Sequence, residues 1–511
     1  MLLCLCMLTP LAAEATNVDD SLIIGIQSTK TPLVRPLDPK ERDIMSIYDL
    51  VYDGLVTIDD DYLPQPALAE SWEESGGGKT WTFHLREGLT FSDGTALTAH
   101  DVVATAQHIL DRANNDANMD KGYYVNLKYF VSKISAKDDY TVVVRASRPY
   151  WGMLYAMTFP VLPKDRLEDD NPPGSGPYMI STFDAGNFIW LQANENWWQT
   201  QPQVREILVY CSDTPRGVLE DYEYARVDAA FTRSISATQY KSGTTSLNLD
   251  TRTNQLETLL INHSSFPLGD VNIRKAIRYV VDPDKIASTV YMGMVKRTDT
   301  PMIPGSWMYN DQLGEYFTRN IEEAKRLLDE AGWIDTDEDG VRDKPKDDGT
   351  GLWRLHLRLY VYEEPENDVR VEMANMIADM LATIGIEVKV SAMPMAQIVE
   401  PLQKGGFDLA LVSYAMDVCP DPGFMLMKSN TGNYCRYNSS AMTDLCNELR
   451  KQTTQAGYQQ KLHQIQAQFA EDCPFICLFY RAGAVLTRRM YTTARDIREL
   501  ELLRGIEVFH P

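Results

Sequence analysis

The stretch "DTDEDGVRD" (335–343) places carboxylates where a hard cation could use them. Asp335, Asp337 and Asp339 fall at positions 1, 3 and 5 of a calcium loop, with Gly340 at position 6 and Asp343 at position 9. Position 12, which should bring a bidentate Glu, holds Lys346, and no helix-loop-helix pattern flanks the loop. Two readings stay open: a structural calcium site, or a solvated Asp-rich turn. Zinc chemistry is not indicated. The six cysteines beyond residue 15 (Cys211, Cys419, Cys435, Cys446, Cys473, Cys477) form no C-x-x-C pair, and no histidine completes a cluster. Catalytic patterns are also missing. There is no G-x-S-x-G elbow, no H-E-x-x-H helix and no phosphate loop, and Gly76–Gly78 reads as a hairpin tip. An enzyme is not expected, nor is a cofactor beyond a structural calcium.

The elements that must position a site come from a chain of 511 residues, too long for one ordinary core, so two or three domains are expected. The formal charge of −23 argues against binding nucleic acid by neutralising phosphates. At the N-terminus, "MLLCLCMLTPLAAEA" joins an apolar run to Ala13-Glu14-Ala15, a small-x-small cleavage pattern. Residues 1–15 therefore read as a signal peptide. It lacks a basic start, since the first basic residue is Lys30. Cys4 and Cys6 are candidate lipid-bearing residues, although small residues do not precede them. Export to the cell surface or periplasm is expected, with or without a lipid anchor. No later stretch approaches the roughly 18 apolar residues of a membrane span. An even set of cysteines in an exported chain permits disulfides.

Periodicity predicts a buried strand over 21–27 and a helix over 44–56, with Ile47, Leu50, Val51 and Leu55 on one side. "TWTFHLR" alternates Trp81, Phe83 and Leu85 against Thr82, His84 and Arg86, as a half-buried strand does. A turn at Asp93-Gly94 and a helix start at "TAHDVV" follow. The turn-rich "EDDNPPGSGPY" (168–178) marks a chain crossover. Asn320 is placed to cap a helix, with Glu323 as its return partner. The second half alternates helix and strand, the pattern of an α/β lobe.

"ALAESW" (67–72) and "KTWTFHLREGLTFSDGTALTAHDV" (79–102) resemble the signature of the family 5 extracellular solute-binding proteins, the peptide, dipeptide and nickel receptors of ABC importers. "SGPYMISTF", "NENWW", "VNIRKAIRYVVDPDKIASTVYMGM", "IEEAKRLLDEAGW", "IGIEVKV" and "FAEDCPFICLFY" agree, in the family's order. The resemblance implies a bilobed α/β fold of the periplasmic-binding-protein type II kind, a Venus flytrap. Lobe I would combine 16–62, 174–262 and 480–511. An extra domain, 63–173, would pack on it, and 263–479 would form lobe II. Crossings between lobes would lie near Asn262 and Phe479. The protein would be a monomer that captures oligopeptides between closing lobes and delivers them to permease subunits in the membrane. A signalling-peptide receptor, or a receptor for a nickel chelate, an oligosaccharide or a cationic small molecule, is the alternative.

The same resemblance supplies site residues. An Asp after a strand in lobe II pairs with the ligand's α-ammonium in peptide-binding relatives, and Asp417 in "SYAMDVCPDPGF" matches it. A buried ammonium needs such a carboxylate, because an unpaired charge in a closed cleft is costly. Tyr414 would lay its ring on the ligand or face the core. Ser413 and Asn262 lie on segments suited to backbone contacts, and Asp421 is a ligand contact or a turn former. Relatives also imply a disulfide here, read as Cys419–Cys435 with Cys435–Cys446 competing; Cys473 and Cys477 read as buried thiols or strand-end residues. Where dipeptide-binding relatives hold the ligand carboxylate with an Arg, this chain has Glu364 beside Glu363, although Arg354 or Arg358 could supply the charge. Longer and basic peptides are expected over dipeptides and acidic ones.

Overall fold

The computed structural model describes residues 21–28, 34–39, 41–115, 123–184, 187–240, 242–243, 246–364, 367–416, 418, 421–428, 430–488, 497–503 and 505–506. One sheet runs through the molecule. In spatial order its strands are 387–394, 356–363, 409–415, 247–261, 475–487, 229–232, 21–27, 206–212, 188–193 and 178–184, and 295–297 pairs with 475–487. Two of these strands are long, Leu247–Ile261 and Phe475–Thr487. They run antiparallel and carry the sheet from one lobe into the other.

In the far lobe, strands His356–Glu363, Glu387–Pro394 and Leu409–Ala415 are mutually parallel. Parallel neighbours need a crossover, and helices Val369–Ala382 and Met395–Lys404 provide it. Successive residues point to opposite faces, so this sheet has two cores. Leu409 and Leu411 join Met373, Ile377 and Leu381 of helix Val369–Ala382 on one side. Ala410, Val412 and Tyr414 join residues of helices Ser440–Leu449 and Gln455–Asp472 on the other. Each fully buried aliphatic side chain contributes about 1.5–3 kcal/mol. Asn320 caps helix Ile321–Glu330 by accepting the Glu323 N–H at 3.0 Å. The Glu323 carboxylate itself turns to Arg326, its neighbour one helical turn on.

The near lobe is built on strand Ser21–Gln27, parallel to Glu206–Ser212 and Ala229–Thr232. Helix Pro215–Glu223 makes the crossover, with Thr214 accepting the Gly217 N–H at its start. A further domain is a four-stranded antiparallel sheet in the order 69–75, 80–85, 141–146, 131–138, covered by helix Ala99–Asn114. Trp81, Phe83 and Leu85 are buried there, as their alternation predicts. Gly76, Gly77 and Gly78 all take positive φ in the turn between strands 69–75 and 80–85. Gly78-Lys79-Thr80 ends like a phosphate loop, but a strand follows it, not the helix such a loop needs.

This domain touches both lobes. Its Trp81 face shares a core with the near lobe. Trp151 meets Trp307 and Tyr458 of the far lobe, with ring centroids 5.4 and 5.3 Å apart. The Trp307 indole also donates to the Tyr62 carbonyl, at 3.2 Å.

Between the lobes the two long strands lose register. Their ladder runs from Leu247–Thr487 to Arg252–Ala482 and resumes at Leu256–Tyr480. The backbone groups freed there find other partners. The Arg252 N–H donates to the Ile497 carbonyl, and the Glu499 N–H to the Arg252 carbonyl. The Asn254 N–H donates to the Glu499 carboxylate at 2.9 Å. The Asn254 carbonyl accepts the Met416 N–H at 2.8 Å. Residues 497–501 therefore brace the point where the chain passes between lobes. Of the two crossings expected from sequence, Phe479 lies next to this break, and Asn262 lies just past the end of Leu247–Ile261.

Candidate functional site

Strand Leu409–Ala415 opens at its carboxyl end on a cavity of about 960 Å3. The crevice beyond the carboxyl ends of parallel strands is where open α/β sheets bind ligands. Ala415, Met416 and Val418 form one wall, with Asn254 beside them. The opposite wall runs from helix Arg42–Asp49 through the turn to Asp60. Tyr124, Phe130 and Tyr155 of the further domain, Trp197, Trp198 and residues 498–501 complete it.

The aromatic wall is fixed by its own bonds. Tyr48 and Tyr52 stand one helical turn apart, edge to face with centroids 6.0 Å apart. The Tyr52 hydroxyl donates to the Pro172 carbonyl at 3.0 Å. The Trp198 indole donates to Asp53 at 3.1 Å, while the Arg86 guanidinium lies 4.4 Å from a Trp198 ring centroid. Glu499 is anchored by Arg233 at 2.8 Å, and Arg233 also reaches Asp43 at 2.6 Å. Burial holds the Asp43 carboxyl above its ordinary range despite the opposing pull of Arg233.

Asp417, the expected ammonium partner, lies outside the described residues, as do Cys419 and the expected signal peptide. Both sequence neighbours of Asp417 line the cavity. Tyr414 turns into the core: its hydroxyl donates to the Gly432 carbonyl at 2.7 Å and its ring faces Tyr434 at 6.3 Å. Asn262 is buried, and its amide donates to the carbonyls of Gly405 and Phe407. Asp421 accepts the Gly423 N–H and the Arg450 guanidinium, at 2.9 and 2.7 Å.

Ser413 and Glu364 belong to a buried ion cluster instead of the cavity wall. Glu257 and Arg370 are both 0% exposed, with 2.5 Å between Oε1 and Nη2. Arg481 lies 2.8 Å from Glu257 and 2.5 Å from Glu364. Ser413 donates to Glu257 at 3.0 Å. Burial works to raise the Glu257 carboxyl, but Arg370 and Arg481 more than offset it and hold it below the ordinary range. Arg354 and Arg358 are also engaged elsewhere. Arg358 pairs with Asp408 at 3.0 Å, and Arg354 with Asp337 and Asp339.

That last pairing reshapes the aspartate loop. Carboxylate oxygens of Asp335, Asp337 and Asp343 lie within 4.8 Å of one another. Asp339 is drawn to Arg354, Asp335 accepts the Gly340 N–H at 2.9 Å, and Asp343 accepts the Thr336 hydroxyl at 2.7 Å. The loop is thus folded around a guanidinium and its own donors.

The Cys419–Cys435 bridge needs correction at Cys435, which is a free, buried thiol. Its sulfur points into the core and lies 3.3 Å from the Asn433 side-chain oxygen. The competing partner Cys446 is likewise free, as are Cys473 and Cys477, and all are buried. Burial pushes the Cys435 and Cys446 thiols up to about 12, so little thiolate exists at neutral pH. An alkylating reagent is therefore expected to label these four only after unfolding. Mass spectrometry of native and denatured samples reads this directly, and a native-state adduct or a disulfide-linked peptide at Cys435 would contradict it.

The cavity residues that sequence reasoning passed over are Tyr48, Tyr52, Asp53, Asn254 and Glu499. Tyr48 and Tyr52 carried a signal, being four apart in a helical stretch. Asn254 and Glu499 carried none, since their importance comes from a contact across the whole chain.

The sequence profile of the bacterial extracellular solute-binding proteins, family 5 (middle region), matches residues 64–434. The chain belongs to this family. It is 26% identical over 459 residues to the oligopeptide-binding protein AppA of Bacillus subtilis (strain 168), covering 85% of this chain and 81% of that one. The solved structure of AppA from Bacillus subtilis in complex with a nonapeptide superposes with a TM-score of 0.69 at 23% identity, over 96% of this chain and 98% of that one. NikA from Brucella suis in complex with Fe(III)-EDTA gives a TM-score of 0.80 at 20% identity, over 96% and 99%. These neighbours show the bilobed α/β fold. In this family 5 protein the signature stretch Lys79–Val102 is scaffold: it supplies strand Thr80–Leu85 and the start of helix Ala99–Asn114, and none of its residues lines the cavity. Among the described residues, no helix is long and apolar enough to cross a membrane.

Proposed function

We propose that this protein captures oligopeptides between its lobes, outside the cytoplasm, and delivers them to the permease of an ABC importer. The observation that carries this reading is the cavity of about 960 Å3 against which the loop after strand Leu409–Ala415 is laid. That volume is at the upper end of ordinary small-ligand pockets, about 300–1,000 Å3, and suits a short peptide. The relative AppA is named for oligopeptide binding, and its solved structure holds a nonapeptide. The role is capture and release without covalent change to the ligand. On the family resemblance Asp417 is the residue that pairs with the ligand's ammonium group, and its sequence neighbours Met416 and Val418 line the cavity. Ligand bridges the lobes and shifts an open–closed equilibrium, and the closed form docks on the permease. Contact of Trp151 with Trp307 and Tyr458 supports reading the present arrangement as closed. Calorimetry with a peptide mixture, paired with small-angle scattering, tests both parts. Binding with a smaller radius of gyration is expected. No heat with any peptide would remove the ligand class, and binding at constant radius would remove closure.

A further inference from the structure

Two segments far apart in sequence put rings and a thioether on the same cavity. Residues 123–130 of the further domain bring Tyr123, Tyr124, Leu127 and Phe130 to its wall. The far lobe brings Met416 and Val418, one on each side of Asp417 in sequence. Shared packing places these groups together. Phe130, Met416 and Val418 all pack against the core that Tyr150, Trp151 and Tyr155 share with the far lobe. Tyr124 and Phe130 also pack against the near-lobe core, so Phe130 stands at the seam between the two.

The rings are held from behind. Phe130 stacks on Tyr150, with centroids 5.0 Å and planes 10° apart. Tyr150 is fully buried, and its hydroxyl lies 3.3 Å from that of Tyr458 in the far lobe. One face of Phe130 is thus covered, and the half-buried ring shows the cavity aromatic carbon. Tyr123 meets Tyr124 edge to face at 5.0 Å and keeps 46% of its surface exposed. A ligand ring laid here removes apolar area from water and adds the edge and face contacts that rings favour. Met416 suits a ring as well, since its thioether is polarizable and its chain adjusts to the ring's position. An aliphatic side chain gains the area alone, and a polar one gains neither.

We infer that this part of the cavity is a subsite for an aromatic side chain at one of the first residues of the captured peptide. The inference rests on the oligopeptide reading, with Asp417 meeting the ligand's ammonium. Because Met416 and Val418 flank Asp417, the ligand side chains they contact lie beside the amino end. Glu364, on which the expectation of basic ligands rests, is not on the cavity wall, and Arg370 and Arg481 meet its charge.

Calorimetry on the intact protein tests this with equal-length alanine peptides carrying a single Phe, Leu or Gln near either end. Phe near the amino end should bind about tenfold or more tightly than Gln there, and several-fold more tightly than Leu. Equal affinity for the Phe and Gln peptides, or for the Phe and Leu peptides, would overturn the subsite and leave the peptide reading standing. So would a Phe preference confined to the carboxyl end. N-acetyl-tryptophanamide separates the two ideas from the other side: if it binds while every peptide fails, the ring contacts stand and the peptide reading falls. Binding of neither overturns both. Tyr124→Leu and Phe130→Leu each remove a ring and keep apolar volume. Each should lower the ratio of Phe to Leu affinity, a comparison made within one protein and so independent of its stability. Should Phe130→Leu fail to fold, Tyr124→Leu carries the test. A wild-type ratio in every variant that folds would show that these rings do not set the preference.

Discussion

Arg370→Met is expected to lower the free energy of unfolding by about 3–5 kcal/mol, the usual loss when one member of a buried pair is removed. Arg370 has no exposed surface, bonds Glu257 at 2.5 Å, reaches Glu364 at 3.3 Å and lies 4.0 Å from the Tyr362 ring centroid. Without it, Glu257 keeps Arg481 and Ser413 but loses its closest charge. The pH dependence follows. In the native protein the Glu257 carboxyl is held below its ordinary range, so its contribution is present above the unfolded value near 4.5 and is lost as pH falls through the lower folded value. In the variant, burial is no longer outweighed and the carboxyl rises. A raised carboxyl is tolerated best when protonated, so the variant's deficit should narrow as pH falls toward 4.5. Urea unfolding at several pH values measures this. A loss below about 1 kcal/mol, the size of a surface pair, would show the cluster is not what holds this region. Pairing Arg370→Met with Glu257→Leu should recover much of the loss, because no carboxylate is then stranded at position 257.

Asp417→Ala is expected to weaken peptide binding by about 2–5 kcal/mol, as for removal of one partner from a buried charged pair in a complex. Its neighbours Met416 and Val418 both line the cavity, and the Met416 backbone is tied to Asn254. The unliganded Tm should barely move, since the loss falls on the bound state. Equal affinity for both proteins in calorimetry would assign the ammonium to another group.

Much of the fold could be read from local pattern. The alternation around Trp81, Phe83 and Leu85 and the helix–strand succession of the second half each depend on neighbours a few residues away. Tyr414 shows a reading left undecided that period two could have settled: it shares parity with Ala410 and Val412, hence their core face. Glu364 shows the opposite. As one of a row of glutamates it suggests repulsion of a carboxylate, yet Arg481, more than a hundred residues on, folds against it. Glu257 sits in an apolar run, "QLETLLI", where a lone carboxylate signals a distant cation without saying which. The cavity wall escaped notice for the same reason: helix Arg42–Asp49, Trp198 and Glu499 meet only in three dimensions.

Asn254 divides its two backbone groups between the lobes. Its N–H is held by Glu499, which the near lobe anchors through Arg233, and its carbonyl is held by Met416 of the far lobe. Rotation of one lobe against the other must therefore stretch one of these bonds before the strands can bend. The motion has a catch. The first increment of opening breaks a discrete bond and meets a threshold, where a continuous ladder would have yielded gradually. Open and closed forms are then separate populations exchanging over a barrier, as in collective lobe motions on the microsecond-to-millisecond scale. Residues 497–501, far in sequence from strand Leu409–Ala415, are thereby placed to influence how long a captured ligand stays behind the closed lobes.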